Sequence, residues 1–123
     1  MAIVRDVMTT DILTVPGTAT LGEVARRMRA RNVGSAVVLD DTGGPQGLIT
    51  DRELVDSVAA SRSPDLAQAA SWMRPEMWSV EGSASLDEAS ARMRDANVRH
   101  LPVTDDGRVV GIVSIRDLLV GAM

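Results

Sequence analysis

A hydroxyl followed three residues later by a carboxylate occurs at Thr20 and Glu23, Thr50 and Glu53, Ser85 and Glu88, and Ser114 and Asp117. That spacing can close a helix N-terminus, because each side chain satisfies the other's backbone donor. The same carboxylate suits a second task, since two neighbouring hydroxyls of a ribose can share its oxygens. For Ser114-Ile115-Arg116-Asp117 both readings are open, while Glu53 of Thr50-Asp51-Arg52-Glu53 is read as a cap. Arg116 falls in the first turn of the helix that would follow, where a guanidinium and exposed backbone amides favour phosphate. Arg99 and His100 form a second polar pair, read either as an anion-binding couple or as ordinary strand residues. Asp40-Asp41 and Asp105-Asp106 resemble paired catalytic or metal-binding carboxylates. Each pair precedes a glycine-containing turn, however, and turn chemistry explains them.

Much chemistry is excluded by what is missing. The 123 residues contain no cysteine and one histidine, and every basic residue is arginine. Thiolate metal sites, cysteine nucleophiles, Schiff-base lysines and a P-loop lysine are ruled out. Neither a nucleophile elbow nor a zinc spacing is present, so the expectation is no catalytic residue, no metal site and no required cofactor. With a net charge of −4 the chain has no field for a polyanion, which argues against nucleic-acid binding. Its apolar runs are far shorter than the ~20 residues needed to span a bilayer. Together with the start Met1-Ala2-Ile3-Val4-Arg5-Asp6 and the missing cysteines, this predicts a cytoplasmic protein with no membrane association.

The elements that hold these residues are written twice. Shifting the sequence by 65 positions lays Met8 on Met73, Val15 on Val80, Gly17 on Gly82, Leu21 on Leu86, Met28 on Met93 and Asn32-Val33 on Asn97-Val98. After Asp40-Asp41 over Asp105-Asp106 the first copy has one extra residue, and the register continues with Gly47, Arg52 and Leu54 on Gly111, Arg116 and Leu118. In each copy a capping-box pattern at Thr20 or Ser85 opens a helix. Leu21, Val24, Ala25 and Met28, or Leu86, Ala89 and Met93, recur there at helical spacing as an inward stripe. Arg26, Arg27, Arg29 and Arg31 fall elsewhere, on a solvated face. Two short strands joined by an Asp-Asp turn follow: Ala36 to Leu39 with Gly47 to Thr50, and Leu101 to Thr104 with Val109 to Ser114. Helices from Asp51 to Ala60 and from Ile115 to about Val120 close the copies. With entry segments at Ile12 to Val15 and Met77 to Val80, each copy reads β-α-β-β-α, an α+β (mixed α/β) chain of two domains, 6–62 and 63–123. Ser61-Arg62-Ser63-Pro64 is the linker, and Asp65 to Ser71 a short added helix. With only Trp72 and Trp78 as aromatics, neither copy has core enough to stand alone, so the two are expected to share one pseudo-two-fold core.

The ordered set of Met-Thr/Arg-x-x-x-x-Thr/Ser-Val, the capped helix, Asn-Val, Arg99-His100-Leu101-Pro102-Val103 and Gly-apolar-apolar-Thr/Ser-x-Arg-Glu/Asp resembles the CBS (cystathionine beta-synthase) domain. Two tandem copies from about Asp6 to Leu119 resemble a stand-alone Bateman module. The resemblance implies clefts between the copies that bind adenosine-containing ligands such as AMP, ADP, ATP or S-adenosylmethionine. It further implies a flat homodimer, and regulation of a partner enzyme or transporter by a change in conformation or dimer geometry. Carried over by motif, the first cleft uses Ser114, Arg116 and Asp117 with Thr14, Val15, Pro16, Ser35 and Ala36 across from them. The second uses Thr50 with Ser79, Val80, Arg99, His100, Leu101 and Pro102 opposite. Glu53 stands where the pattern has Asp, and its extra methylene displaces the carboxylate, so at most one good nucleoside site is expected. Trp78, beside the adenine slot, is read as core filler rather than a stacking partner. The alternative function is a scaffold whose degenerate clefts bind no nucleotide.

Overall fold

A computed structural model describes residues 1–74 and 79–121 of the chain. In chain order the elements are α1 (Val4–Val7), β1 (Thr14–Pro16), α2 (Leu21–Arg31), β2 (Ser35–Leu39), β3 (Pro45–Thr50), α3 (Asp51–Ala59), α4 (Ala69–Trp72), β4 (Val80–Glu81), α5 (Leu86–Ala96), β5 (His100–Asp105), β6 (Arg108–Ser114) and α6 (Ile115–Gly121). The α+β class and the doubled β-α-β-β-α plan are observed, and a single helical turn precedes each copy. Trp78 lies outside the described residues. No helix among the described residues is long and apolar enough to cross a membrane.

The chain divides into two units. The N-terminal unit is Ile12–Met77; the C-terminal unit joins Met1–Asp11 to Trp78–Met123. In the N-terminal unit β1 runs parallel to β2, and β2 antiparallel to β3, with Thr14 beside Val37 and Ser35 beside Thr50. Leu21, Val24 and Met28 of α2 are buried against Val15, Ala36, Val38 and Ile49. The four arginines of α2 face solvent, as the spacing predicts. Trp72 packs on the rim of the same core. Between α3 and α4 the chain is tied down: the Gly22 amide donates to Pro64 O at 2.9 Å and the Leu21 amide to Ala67 O at 2.8 Å. The added helix is thus the single turn Ala69–Trp72 rather than Asp65 to Ser71, because Ser63 to Ala67 close a separate turn, with the Ala67 amide on Ser63 O at 2.9 Å, and Gln68 bridges to Thr20.

The C-terminal unit repeats the plan with β4 parallel to β5 and β5 antiparallel to β6. Its core joins Val80, Met93, Leu101, Val103, Val113 and Leu118 to Val4, a residue of the chain's first turn. Thr9 exchanges backbone hydrogen bonds with Ile112, Thr9 N to Ile112 O at 2.8 Å and Ile112 N to Thr9 O at 3.0 Å. Asp106 and Gly107 have φ of 52° and 79°, so β5 and β6 are joined by a two-residue turn with both central residues left-handed, the arrangement that suits the strand twist.

The capping at α2 and α5 differs from expectation. Thr20 Oγ1 accepts from the Glu23 amide at 3.2 Å and Ser85 Oγ from the Glu88 amide at 3.0 Å, but neither carboxylate returns to the cap residue's amide. Glu23 instead pairs with Arg27, one turn on, at 2.6 Å. Thr20 and Ser85 are at the same time engaged by the bridges to Gln68 and Ile3. The complete boxes are at α3 and α6.

Candidate functional site

Each unit gathers its polar residues at the corner where the last strand enters the last helix. In the C-terminal unit the β5–β6 register sets His100 directly beside Ser114, and the Arg99 carbonyl accepts from the Ile115 amide at 2.9 Å. Ser114 and Asp117 close the box: Asp117 Oδ2 accepts from the Ser114 amide at 2.8 Å, and the Asp117 amide donates to Ser114 Oγ at 3.1 Å. Asp117 Oδ1 carries no hydrogen bond among the described residues. Arg116, next to it, is exposed. The register of β5 on β6 brings to this corner residues carrying one carboxylate, two guanidinium groups and one imidazole, Asp117 with Arg99, Arg116 and His100, a set that suits hydroxyl donors and anions together.

The equivalent corner of the N-terminal unit is closed. Ser35 lies beside Thr50, as His100 lies beside Ser114. Glu53 Oε1 accepts from both the Thr50 amide and the Thr50 hydroxyl, each at 2.7 Å. Its second oxygen is 3.7 Å from Arg74 Nε, and the Glu53 side chain is 8% exposed against 34% for Arg74. The methylene that distinguishes Glu53 from Asp117 lets the carboxylate curl back far enough to take the hydroxyl as well. Arg74 was not singled out from sequence; its place depends on α4, which delivers it next to β3 with its amide on Leu48 O at 3.2 Å.

Several motif residues are core members. Val15, Ala36, Val80 and Leu101 are at most 2% exposed, and Pro102 is buried, so they offer a ligand almost no surface, backbone included. Ser79 is fixed by a hydrogen bond from Arg92 Nη1 to its carbonyl at 2.7 Å. Thr14 and Pro16 lie away from the Ser35 and Thr50 end of their sheet. They line an open pocket of about 500 Å³ with Gly17, Leu39, Asp40 and Gln46. Asp40 and Asp41 belong to a turn, as the sequence suggests. Asp40 Oδ1 accepts from the Thr42 hydroxyl at 2.7 Å and from the Thr42 and Gly44 amides at 2.9 Å each. These bonds, led by the Thr42 hydroxyl, hold the Asp40 carboxyl below its ordinary pKa of 3.8.

The doubled sheet-and-helix plan, with a hydroxyl and an acid at each strand-to-helix corner, defines a tandem α+β repeat. A model of the CBS domain matches residues 4–60 and again 69–121. The chain belongs to the CBS-domain family as a tandem pair. It is 36% identical over 118 residues to the uncharacterized Methanopyrus kandleri protein MK0525, covering 94% of this chain but only 60% of that protein. It is 34% identical to the CBS domain-containing protein YhcV of Bacillus subtilis, over all of this chain and 87% of YhcV. Among solved structures it resembles the CBS domain protein PAE2072 of Pyrobaculum aerophilum, complexed with AMP. That match has a TM-score of 0.86 and 27% identity over 94% of this chain and 89% of the other.

Proposed function

We propose that this CBS pair is a regulatory module that binds an adenosine-containing ligand through the β6–α6 corner. The observation that carries this reading is the half-used carboxylate of Asp117. One oxygen holds the helix start and the other is unengaged, so capping and ligand binding use different oxygens and do not compete. A ribose diol donates to Oδ1, and Arg116 lies ready for phosphates. The AMP complex of PAE2072 supports the ligand class. Thr50 and Glu53, with both carboxylate oxygens engaged, act as a structural cap.

The signal is read as a change in the geometry of a homodimer. Val55 on α3 and Leu119 on α6 occupy equivalent positions and are 64% and 65% exposed; Val58 and Val120 extend each patch. Large apolar side chains repeated on two exposed helices suit burial against a second copy of the chain.

Titration with AMP, ADP, ATP and S-adenosylmethionine, followed by thermal midpoint and sedimentation velocity, tests both statements. A ligand at 100 times its dissociation constant adds about 2.7 kcal/mol to the folded state, and Asp117→Ala removes that gain. A midpoint unmoved by every ligand refutes nucleotide binding and favours a scaffold. A sedimenting monomer at all loading concentrations refutes the dimer.

A further inference from the structure

The two units share several backbone hydrogen bonds at equivalent places, so a side chain that differs between those places carries information. Val4 N bonds Ala84 O at 2.9 Å in one unit where Ala69 N bonds Ala19 O at 2.8 Å in the other. Arg5 N on Gly82 O matches Ala70 N on Gly17 O, both at 2.9 Å. Arg5 and Ala70 therefore hold the same position, and Asp105 and Asp40 are likewise counterparts. In the C-terminal unit Arg5 Nη2 donates to Asp105 Oδ1 at 2.9 Å, and the guanidinium lies against Gly82. In the N-terminal unit the same place ends at the Ala70 methyl, and the space beyond it is the pocket of about 500 Å³.

The wall of that pocket is apolar over Val15, Pro16 and Leu39 and carries Asp40, Asp41 and Gln46 on its polar side, with no basic residue among those that line it. Asp40 is held by its Oδ1, while Oδ2 takes no hydrogen bond among the described residues. Three donors fix the direction of the carboxylate, so a cation would meet an oriented acceptor. The chain's own second copy shows which cation this architecture accommodates over the strand-end glycine.

We propose that the pocket of the N-terminal unit binds a guanidinium group supplied from outside, as an arginine side chain or a small guanidinium compound, with Asp40 Oδ2 as its acceptor. The ligand takes the place that Arg5 fills in the other unit. The proposal does not rest on nucleotide binding at the β6–α6 corner.

The test is an amide NMR titration of the full chain with N-acetyl-arginine amide, using its citrulline and lysine counterparts as controls. Because an exposed ion pair is weak, the expected dissociation constant is roughly millimolar. Saturable shifts are expected at Gly17, Thr42 and Gly44, strongest for the arginine probe and lost for the neutral citrulline probe. Ala70→Arg supplies the guanidinium from within and abolishes the shifts; Asp40→Asn, which keeps the turn's acceptor, weakens them if the first variant fails to fold. Arg5→Ala opens the matching place and adds shifts at Gly82 and Asp105. Free arginine and an arginine-containing tripeptide amide then distinguish a small-molecule source from a polypeptide one. Absence of saturable shifts, equal shifts with the citrulline probe, or unchanged binding in Ala70→Arg overturns the proposal.

Discussion

At the scale of single residues, the difference between two acids decides how each copy is used. Asp117 and Glu53 stand at equivalent places, yet Glu53 turns both oxygens inward to Thr50 and Arg74 while Asp117 keeps one outward. Asp40 shows the same dependence on local partners in a pH-sensitive form. Its carboxyl is held below 3.8, first by the Thr42 hydroxyl and then by the Gly44 and Thr42 amides. A group whose folded pKa is depressed contributes stability above its unfolded pKa and loses that contribution as pH falls through the folded value. The thermal midpoint of the wild type should therefore exceed that of Asp40→Ala by a constant amount above about pH 5, and the gap should close as the pH drops below 3.8. Thermal scans of both proteins across acid pH measure it. A gap that widens toward low pH would contradict the hydrogen-bonded ionised turn. The Asp-Asp pair was legible as a turn because aspartate before Thr-Gly-Gly bonds its own backbone. The Glu53 to Arg74 contact was not legible, since 21 positions separate the partners and only the placement of α4 brings them together.

At the scale of elements, two glycines set how closely a crossing segment can approach each sheet. Gly47 of β3 lies under Met73, and a Cβ added there would overlap the Met73 side chain. Gly111 of β6 lies under Met8 and Thr9, where an added Cβ would stand 2.7 Å from Met8 Sδ and 2.8 Å from Thr9 O. The repeat showed both glycines and both methionines as recurring residues, and the strands around them, but not that each methionine covers a glycine. The obstacles differ in kind. Methionine is flexible and can be shortened, whereas the Thr9 carbonyl is locked by its hydrogen bond from Ile112. Gly47→Ala should cost roughly 1–3 kcal/mol, and adding Met73→Ala should recover part of that loss. Gly111→Ala should cost at least as much, with little recovery from Met8→Ala. Chemical denaturation of the two double-mutant cycles checks this; equal recovery in both would mean that the backbone contact at Gly111 is unimportant.

At the scale of the whole molecule, chain order and packing order part company. The repeat aligns Met8 with Met73 and so assigns one crossing segment to each copy, but Met8 covers Gly111 of the second copy and Met73 covers Gly47 of the first. Self-similarity reports which pieces recur and is blind to which recurrence each piece packs against, because both sheets offer the same glycine and the same apolar floor. The C-terminal unit consequently needs the first eleven residues of the chain: Val4 is fully buried in its core and Thr9 pairs with Ile112. Val4→Ala removes two methyl groups from that core and should cost about 2 kcal/mol. Hydrogen exchange should place the loss 100 residues away along the sequence. Amides of Val103 and Val113 should exchange faster, while those of Val38 and Ile49, close to Val4 in sequence number but members of the other core, should keep their protection. Faster exchange confined to residues 12–60 would show that the first turn supports the N-terminal unit instead, and would overturn the exchanged arrangement of segments.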